Sequence, residues 1–333
     1  MFLTRRHTIQ ALAATAAAGW AASRAWALGP GDATRLAPPT TPLPLARPRP
    51  PGPSPLDGQE SGEVAGGRDP FDHLTAPVTL NGQGPFPFIV DTGASISCVS
   101  KPLAESLGLP LEGEHPVHTV VGVKPQSLTL VDELRVGVRR QRRMPALALP
   151  LEQPQVQGVL AVDWLKGQRL TLDFQNSRLE FSSSRTETSS PGQVVVPARR
   201  KHGQLTIVDA DLGDKRIAAM IDSGSELSLC NTALLNMLDR RQALPRKRQV
   251  IEMVTLIGEP FSGELMFLPF LRLGGLQLGN VAVVHADTYV FKIWGLENKP
   301  AILLGMDLLR EFRAVSLDFG RSQVRFDLPA GAV

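Results

Sequence analysis

The sequence predicts an all-β protein built as two similar lobes, and three observations carry that prediction. From Thr75 onward, short β-type runs alternate with turn signals, as in Val78-Thr79-Leu80 before Asn81-Gly82, Phe88-Ile89-Val90, and Leu170 to Phe174. The chain holds 28 Pro and 30 Gly, residues that interrupt helices and favour turns. And the order of its segments repeats once. Ile89-Val90-Asp91-Thr92-Gly93-Ala94 matches Met220-Ile221-Asp222-Ser223-Gly224-Ser225. Val159-Leu160-Ala161-Val162-Asp163 matches Leu303-Leu304-Gly305-Met306-Asp307, and Leu172-Asp173-Phe174 matches Leu317-Asp318-Phe319. Three matches in the same order point to an internal duplication.

Taken from the N-terminus, the elements are as follows. Residues 1–27 read as a twin-arginine-type export signal: Arg5-Arg6, an Ala-rich apolar stretch, and an A-x-A site at Ala25-Trp26-Ala27. Such a signal directs the mature chain to the periplasm or beyond, with no membrane contact once it is cleaved. Residues 28–74 read as a Pro/Gly-rich leader too poor in apolar groups to offset its ordering entropy. The first lobe is expected over 75–182 and the second over 193–327, with a Ser/Thr-rich joint between them. Extra material around Tyr289 to Pro300 lengthens the second copy.

Length and composition allow two ordinary domains. The chain has 333 residues, 43% of them apolar, and a net charge of +3. Its basic clusters, such as Arg139-Arg140 with Arg142-Arg143, lack interleaved aromatic residues, so nucleic acid is not an expected partner. Two cysteines cannot make a disulfide framework. Cys98 and Cys230 each follow an acidic motif and read as small buried residues of matching strands. His115 and His118 have no companion ligands, and neither a metal nor a cofactor is expected. Asp163 and Asp307, following the apolar segments, read as helix caps, and Asp173 and Asp318 as surface or turn partners.

The chemistry lies in the two Asp-Thr/Ser-Gly triplets. An apolar strand delivers each aspartate to a buried point, Gly93 or Gly224 permits the tight turn, and the Thr92 or Ser223 hydroxyl can hold the loop. One such triplet is weak evidence; two, each preceded by apolar residues and followed by a matching downstream segment, are strong. Two like charges brought together cannot both ionise, so they would share a proton. Ser225 stands where it could donate a hydrogen bond to Asp222, whereas Ala94 has nothing to donate. On that reading Asp91 is expected to hold the shared proton.

Each half resembles a retroviral-type (retropepsin-like) aspartic peptidase subunit, and the resemblance spans about 75–327. It implies two β-barrel lobes related by a pseudo-twofold axis, an Asp91/Asp222 pair that activates a water, and an extended peptide or protein substrate. With both aspartates on one chain, the active unit would be a monomer. The resemblance also implies an apolar-apolar-Gly segment packed beneath each aspartate. Leu303-Leu304-Gly305 fits it, while the first copy has Ala161 in place of Gly. It implies flaps too, for which Val121, Gly122 and Val123 (in Val120–Val123) and Ile257 and Gly258 (in Leu256–Gly258) are the candidates. Pepsin-like enzymes bear a Tyr on a single flap; Tyr289 lies far along the sequence from both candidates. The competing reading is an inactive two-lobed protein that binds peptides, with Ala161 as its foothold.

Overall fold

The computed structural model describes residues 43–44 and 62–329, apart from 71–72, 152, 154, 187–189, 202–203 and 241–247. The expected export signal, residues 1–27, lies outside the described residues, as does most of the expected leader. The chain forms two closed six-strand barrels, as the duplication predicts.

The first barrel starts with a hairpin. Strand Leu74–Leu80 pairs antiparallel with Gln83–Val90 through Leu80↔Gln83. The two-residue loop between them, Asn81-Gly82, has both φ angles positive (50° and 79°), the turn whose twist matches the flanking strands. The long strand Val123–Val136 alternates exposed and buried residues, with Val131, Leu134 and Val136 turned inward. The second barrel repeats the plan, with Pro260–Leu273 as the equivalent long strand carrying Leu268, Leu271 and Leu273 inward.

Beneath each aspartate runs a parallel pair. Gly158–Leu160 pairs with Gln83–Val90 through Val159↔Ile89 and Leu160↔Val90. Ala301–Leu304 pairs with Arg216–Ile221 through Leu303↔Met220 and Leu304↔Ile221. Each pair ends in the same bond: Asp91 N–H donates to Leu160 O at 2.9 Å, and Asp222 N–H to Leu304 O at 3.0 Å.

A shared sheet joins the lobes. Its order is Gly62–Ala65, Arg178–Ser183, Gln168–Asp173, Ala314–Asp318, Gln323–Asp327, Gln193–Lys201, three strands from each copy. The central seam pairs Leu170 with Leu317 and Thr171 with Ser316. Asp173 and Asp318 serve the turns that follow their strands, accepting from Asn176 N–H at 2.9 Å and Arg321 N–H at 2.8 Å. Asp318 also pairs with Arg169 at 3.4 Å.

This sheet corrects the expected leader boundary. Residues 62–65 pair with Arg178–Phe181 as Val194–Val196 pair with Val324–Phe326 in the second copy. The repeat therefore begins near Gly62. Its first strand, Gly-Glu-Val-Ala, has one buried side chain, Val64, too few to announce a strand in sequence. Further upstream, Leu43–Pro44 pairs antiparallel with Val117–His118.

Candidate active site

The two Asp-Thr/Ser-Gly loops meet where the lobes join. Asp91 is 0% exposed and Asp222 1%. Each loop folds around its own carboxylate: Asp91 Oδ1 accepts from Gly93 N–H at 2.7 Å and Ala94 N–H at 3.0 Å, and Asp222 Oδ1 accepts from Gly224 N–H at 2.9 Å.

The hydroxyls then tie one loop to the other. Thr92 N–H donates to Ser223 Oγ, and Ser223 N–H to Thr92 Oγ1, both at 3.1 Å. Thr92 Oγ1 donates to Ile221 O at 3.0 Å, and Ser223 Oγ to Val90 O at 2.7 Å. Four bonds cross between lobes in near-twofold symmetry. They fix the separation of the two carboxylates through backbone rather than flexible side chains.

Glycine is required in both loops by close approach. A Cβ on Gly93 would lie 2.4 Å from Asp222 Cγ, and one on Gly224 would lie 2.1 Å from Asp91 Oδ2. Each aspartate is thus packed against the other loop's glycine.

Burial raises the pKa of both carboxyls, because water no longer solvates the charged form. The two are not equal. Backbone donors ease both back, Gly93 and Ala94 at Asp91 and Gly224 and Ser225 at Asp222, yet Asp222 rises well above the ordinary range, driven by burial and then by the charge of Asp91. The hydrogen bond that Ser225 was expected to give the Asp222 carboxylate is not made. The reason is geometric: Ser225 Oγ donates to Leu227 O at 2.8 Å and gives nothing to the Asp222 carboxylate.

Around each loop stands a support not foreseen from sequence. Asp163 accepts from Ser97 Oγ at 2.7 Å and Ser97 N–H at 3.0 Å, and Ser97 Oγ accepts from Ala161 N–H at 3.0 Å. Asp307 holds Ser228 Oγ at 2.7 Å and Ser228 N–H at 2.9 Å, and Ser228 Oγ accepts from Gly305 N–H at 3.0 Å. These aspartates lock the chain after each loop to the segment beneath it. They are not the helix caps expected: Gly305 occupies the N-cap of helix Met306–Leu309, and Asp307 lies within that helix. A signal was present, since Ser97 and Ser228 stand at the same place after the two Asp-Thr/Ser-Gly motifs.

Ala161 takes the place of Gly305 with its backbone bonded in the same way, and it is fully buried. The departure from the apolar-apolar-Gly pattern leaves the bond from Asp91 N–H to Leu160 O intact.

Both flap candidates form hairpin tips. The first, Thr119–Gly122, joins Glu112–His118 to Val123–Val136; the second, Thr255–Glu259, joins Gln249–Val254 to Pro260–Leu273. Each reaches the opposite lobe. Val120 O accepts from Tyr289 N–H at 2.7 Å, while Leu256 and Ile257 pack into a first-lobe cluster with Ile89, Cys98, Val117 and Val159. Thr119 Oγ1 donates to Glu259 Oε2 at 3.0 Å, and Lys124 pairs with the same carboxylate at 3.2 Å. Val121 and Val123 are the exposed apolar residues of the first tip.

Tyr289, distant in sequence, is near in space. It opens the helix Tyr289–Ile293 of the second-copy insertion and stacks on His118 with ring centroids 5.2 Å apart. It sits on the lobe opposite that flap, so it is not a pepsin-type flap tyrosine. Cys98 and Cys230 are free and buried in matching short strands, as expected.

Two barrels, each delivering one aspartate on an Asp-Thr/Ser-Gly loop over a parallel strand pair, define a two-lobed retropepsin-like architecture. The aspartyl protease family model matches the chain twice, at residues 76–164 and 208–308, more than half its length and once per lobe. The chain belongs to that family. No curated protein matches it.

Proposed function

We propose that this protein is an exported aspartic endopeptidase in which Asp91 and Asp222 act together on a water molecule. The observation that carries this reading is the reciprocal assembly of the two loops, each carboxylate against the other loop's glycine and four hydroxyl bonds across the seam. One carboxylate alone cannot be both base and acid in the same step. The ionised Asp91 takes a proton from water, which attacks the scissile carbonyl, while the protonated Asp222 donates to the carbonyl oxygen. The resulting gem-diol breaks down with proton transfer to the leaving amine, and the pair returns to its single-proton state.

Membership in a protease family implies a peptide substrate. An extended segment would hydrogen-bond to the flap backbones while alternate side chains fill pockets on either side. Apolar flap tips favour apolar side chains near the cleaved bond. With the aspartates buried and each tip seated on the opposite lobe, substrate entry requires those contacts to open first. Monomeric action follows from both aspartates lying on one chain. Export rests on Arg5-Arg6 and the Ala25-Trp26-Ala27 site; replacing both arginines by Lys should retain the chain in the cytoplasm on fractionation.

The test of the chemistry is cleavage of a peptide library by the mature chain beside Asp91→Asn and Asp222→Asn. Each variant should lose at least about 1,000-fold in kcat/KM while keeping its unfolding transition. Near-normal turnover in either would exclude the paired mechanism. Retained peptide binding with no cleavage by the unaltered protein would favour the peptide-binding alternative.

A further inference from the structure

The two flap tips end differently on the lobes they reach. The second is filled in: Leu256 and Ile257 belong to an apolar cluster with Leu149, Leu151 and Val156 of the first lobe. The first is not. Val120 and Val121 stand over a cavity of about 350 Å³, lined on its other side by Phe261, Phe291 and Tyr289 of the second lobe. Val121 is 38% exposed, while Ile257, its counterpart, is half-buried. The difference comes from the insertion. Between strands Leu276–His285 and Ala301–Leu304, residues 286–300 turn through helix Tyr289–Ile293, tied to the flap by the bond from Tyr289 N–H to Val120 O. The first copy makes the same connection with 150–157, whose described residues form no helix.

The cavity wall is amphipathic. Val120, Phe261 and Phe291 give it apolar surface, and at its rim Asp287 and Glu297 are exposed and form no ion pair among the described residues. Lys292 is the one lining cation, and its ammonium lies 5.8 Å from the Tyr289 ring centroid. Two carboxylates against one ammonium leave the wall net negative. A second observation is independent of these charges. Thr288 also lines the cavity, is 7% exposed, and its Oγ1 has no hydrogen-bond partner among the described residues. It stands at the N-cap of helix Tyr289–Ile293, yet its side chain does not cap that helix. An unpaired buried hydroxyl is costly and calls for a partner. The two carboxylates and the hydroxyl oxygen can all accept hydrogen bonds. Their complement is a cationic head that only donates, carried on an apolar stem.

We infer that this cavity is a specificity pocket for a basic side chain of the substrate. The stem lies along Phe261 and Phe291, the head meets Asp287 and Glu297 at the rim, and Thr288 Oγ1 accepts one of its N–H groups. Arg is favoured over Lys, because its planar fork of donors can serve a carboxylate and the hydroxyl together. Since Leu256 and Ile257 pack the first-lobe counterpart, the preference falls at one position of the substrate and not at its twofold mate. The inference rests on the peptidase reading for its effect on cleavage, but not for binding.

The probe is a set of Leu/Ala peptides in which one Arg is moved through every position, beside the same set with citrulline, which keeps the shape of Arg without its charge. For the mature protein, kcat/KM should favour Arg over citrulline by at least about fivefold, at one position only. Joint replacement Asp287→Asn and Glu297→Gln should bring that ratio to about one. Thr288→Val should lower it while Tm stays level or rises; a merely structural hydroxyl would give a fall in Tm and an unchanged ratio. Added salt should shrink the ratio, because the rim carboxylates face solvent. Binding of the same peptides to Asp91→Asn, followed by fluorescence anisotropy, repeats the comparison without cleavage. Equal kcat/KM for Arg and citrulline at every position, in a protein that cleaves both, overturns the pocket and leaves the peptidase reading standing. Tighter binding of Arg peptides by a protein that cleaves none overturns the peptidase reading and keeps the pocket. An Arg preference that survives loss of both rim carboxylates lies elsewhere and also overturns the pocket. If Thr288→Val does not fold, the exposed pair decides.

Discussion

The loop at Asp91 and the loop at Asp222 are built from one plan, yet they are not the same environment. Both aspartates end an apolar strand, both are crossed by the partner loop's hydroxyl, and both rest on a locked Ser–Asp pair. They differ in detail. Ala94 follows the first loop where Ser225 follows the second, and Ala161 replaces Gly305 below. A chemistry that needs one acid and one base gains from such a difference, because a symmetric pair would leave the proton's place undecided. Duplication supplied the matching geometry; divergence between the copies supplied the difference.

The hardest test of that comparison falls on the loop glycines. Gly224→Ala would place a methyl 2.1 Å from Asp91 Oδ2, and Gly93→Ala one 2.4 Å from Asp222 Cγ. Neither carboxylate can retreat without losing its backbone bonds, so kcat/KM should fall at least about 100-fold in both, with Gly224→Ala at least as severe. Survival of either variant with full activity would mean that the lobes are farther apart in the working enzyme.

Next come the residues beneath the loops. A Cβ on Gly305 would meet Leu227 C at 2.5 Å, Leu227 O at 2.6 Å and Ser225 O at 2.9 Å, all of them backbone atoms. Gly305→Ala should therefore destabilise by about 2–3 kcal/mol. The reverse change in the other copy, Ala161→Gly, should cost only about 1 kcal/mol. Equal losses on chemical denaturation would show that the first copy has not adjusted to its alanine.

The Ser–Asp locks give a pH-dependent test in which the copies should agree. Burial pushes Asp163 and Asp307 each up to about 6. A folded-state pKa above the unfolded value means that the folded protein binds the extra proton between pH 4 and 6. The resulting stability is present below the unfolded pKa and is lost as pH rises through the folded one. Asp163 and Asp307 should thus lower Tm between pH 4 and 6.5, a contribution isolated by comparison with Asp163→Asn and Asp307→Asn. Flat behaviour across that window would mean that the Ser97 and Ser228 bonds fully offset burial.

The smallest effect is expected from Ala94→Ser, which copies Ser225 into the first loop. Because Ser225 spends its hydroxyl on Leu227 O, the added Ser should bond within its own loop, and both limbs of the pH–rate curve should stay in place. A limb moving to lower pH would show that a hydroxyl here can reach Asp91 after all. The bell as a whole should extend above the usual carboxylate range, since burial raises both members of the pair.

Much was legible in the residues alone, for a physical reason. The alternation of strands and turns, the repeat, and the Asp-Thr/Ser-Gly loops are local patterns, set by side-chain size and backbone freedom over a few neighbours. They were enough for the two lobes, for the pairing of the two Asp-Thr/Ser-Gly loops, and for the buried cysteines. What local pattern cannot carry is contact between distant segments. The strand at Gly62–Ala65 has one apolar side chain inward, and only its pairing with Arg178–Phe181 makes it part of the fold. Tyr289 stands far along the chain from the first flap and bonds to it. Ser225 points its hydroxyl at Leu227 O, although its place directly after Asp222-Ser223-Gly224 suggested the carboxylate. The order of proton affinity between Asp91 and Asp222 likewise depends on burial and on donors from elsewhere, which sequence spacing does not encode. The residues determined which groups could react; tertiary packing decided how each carboxyl is surrounded, and a charge is governed by everything that surrounds it.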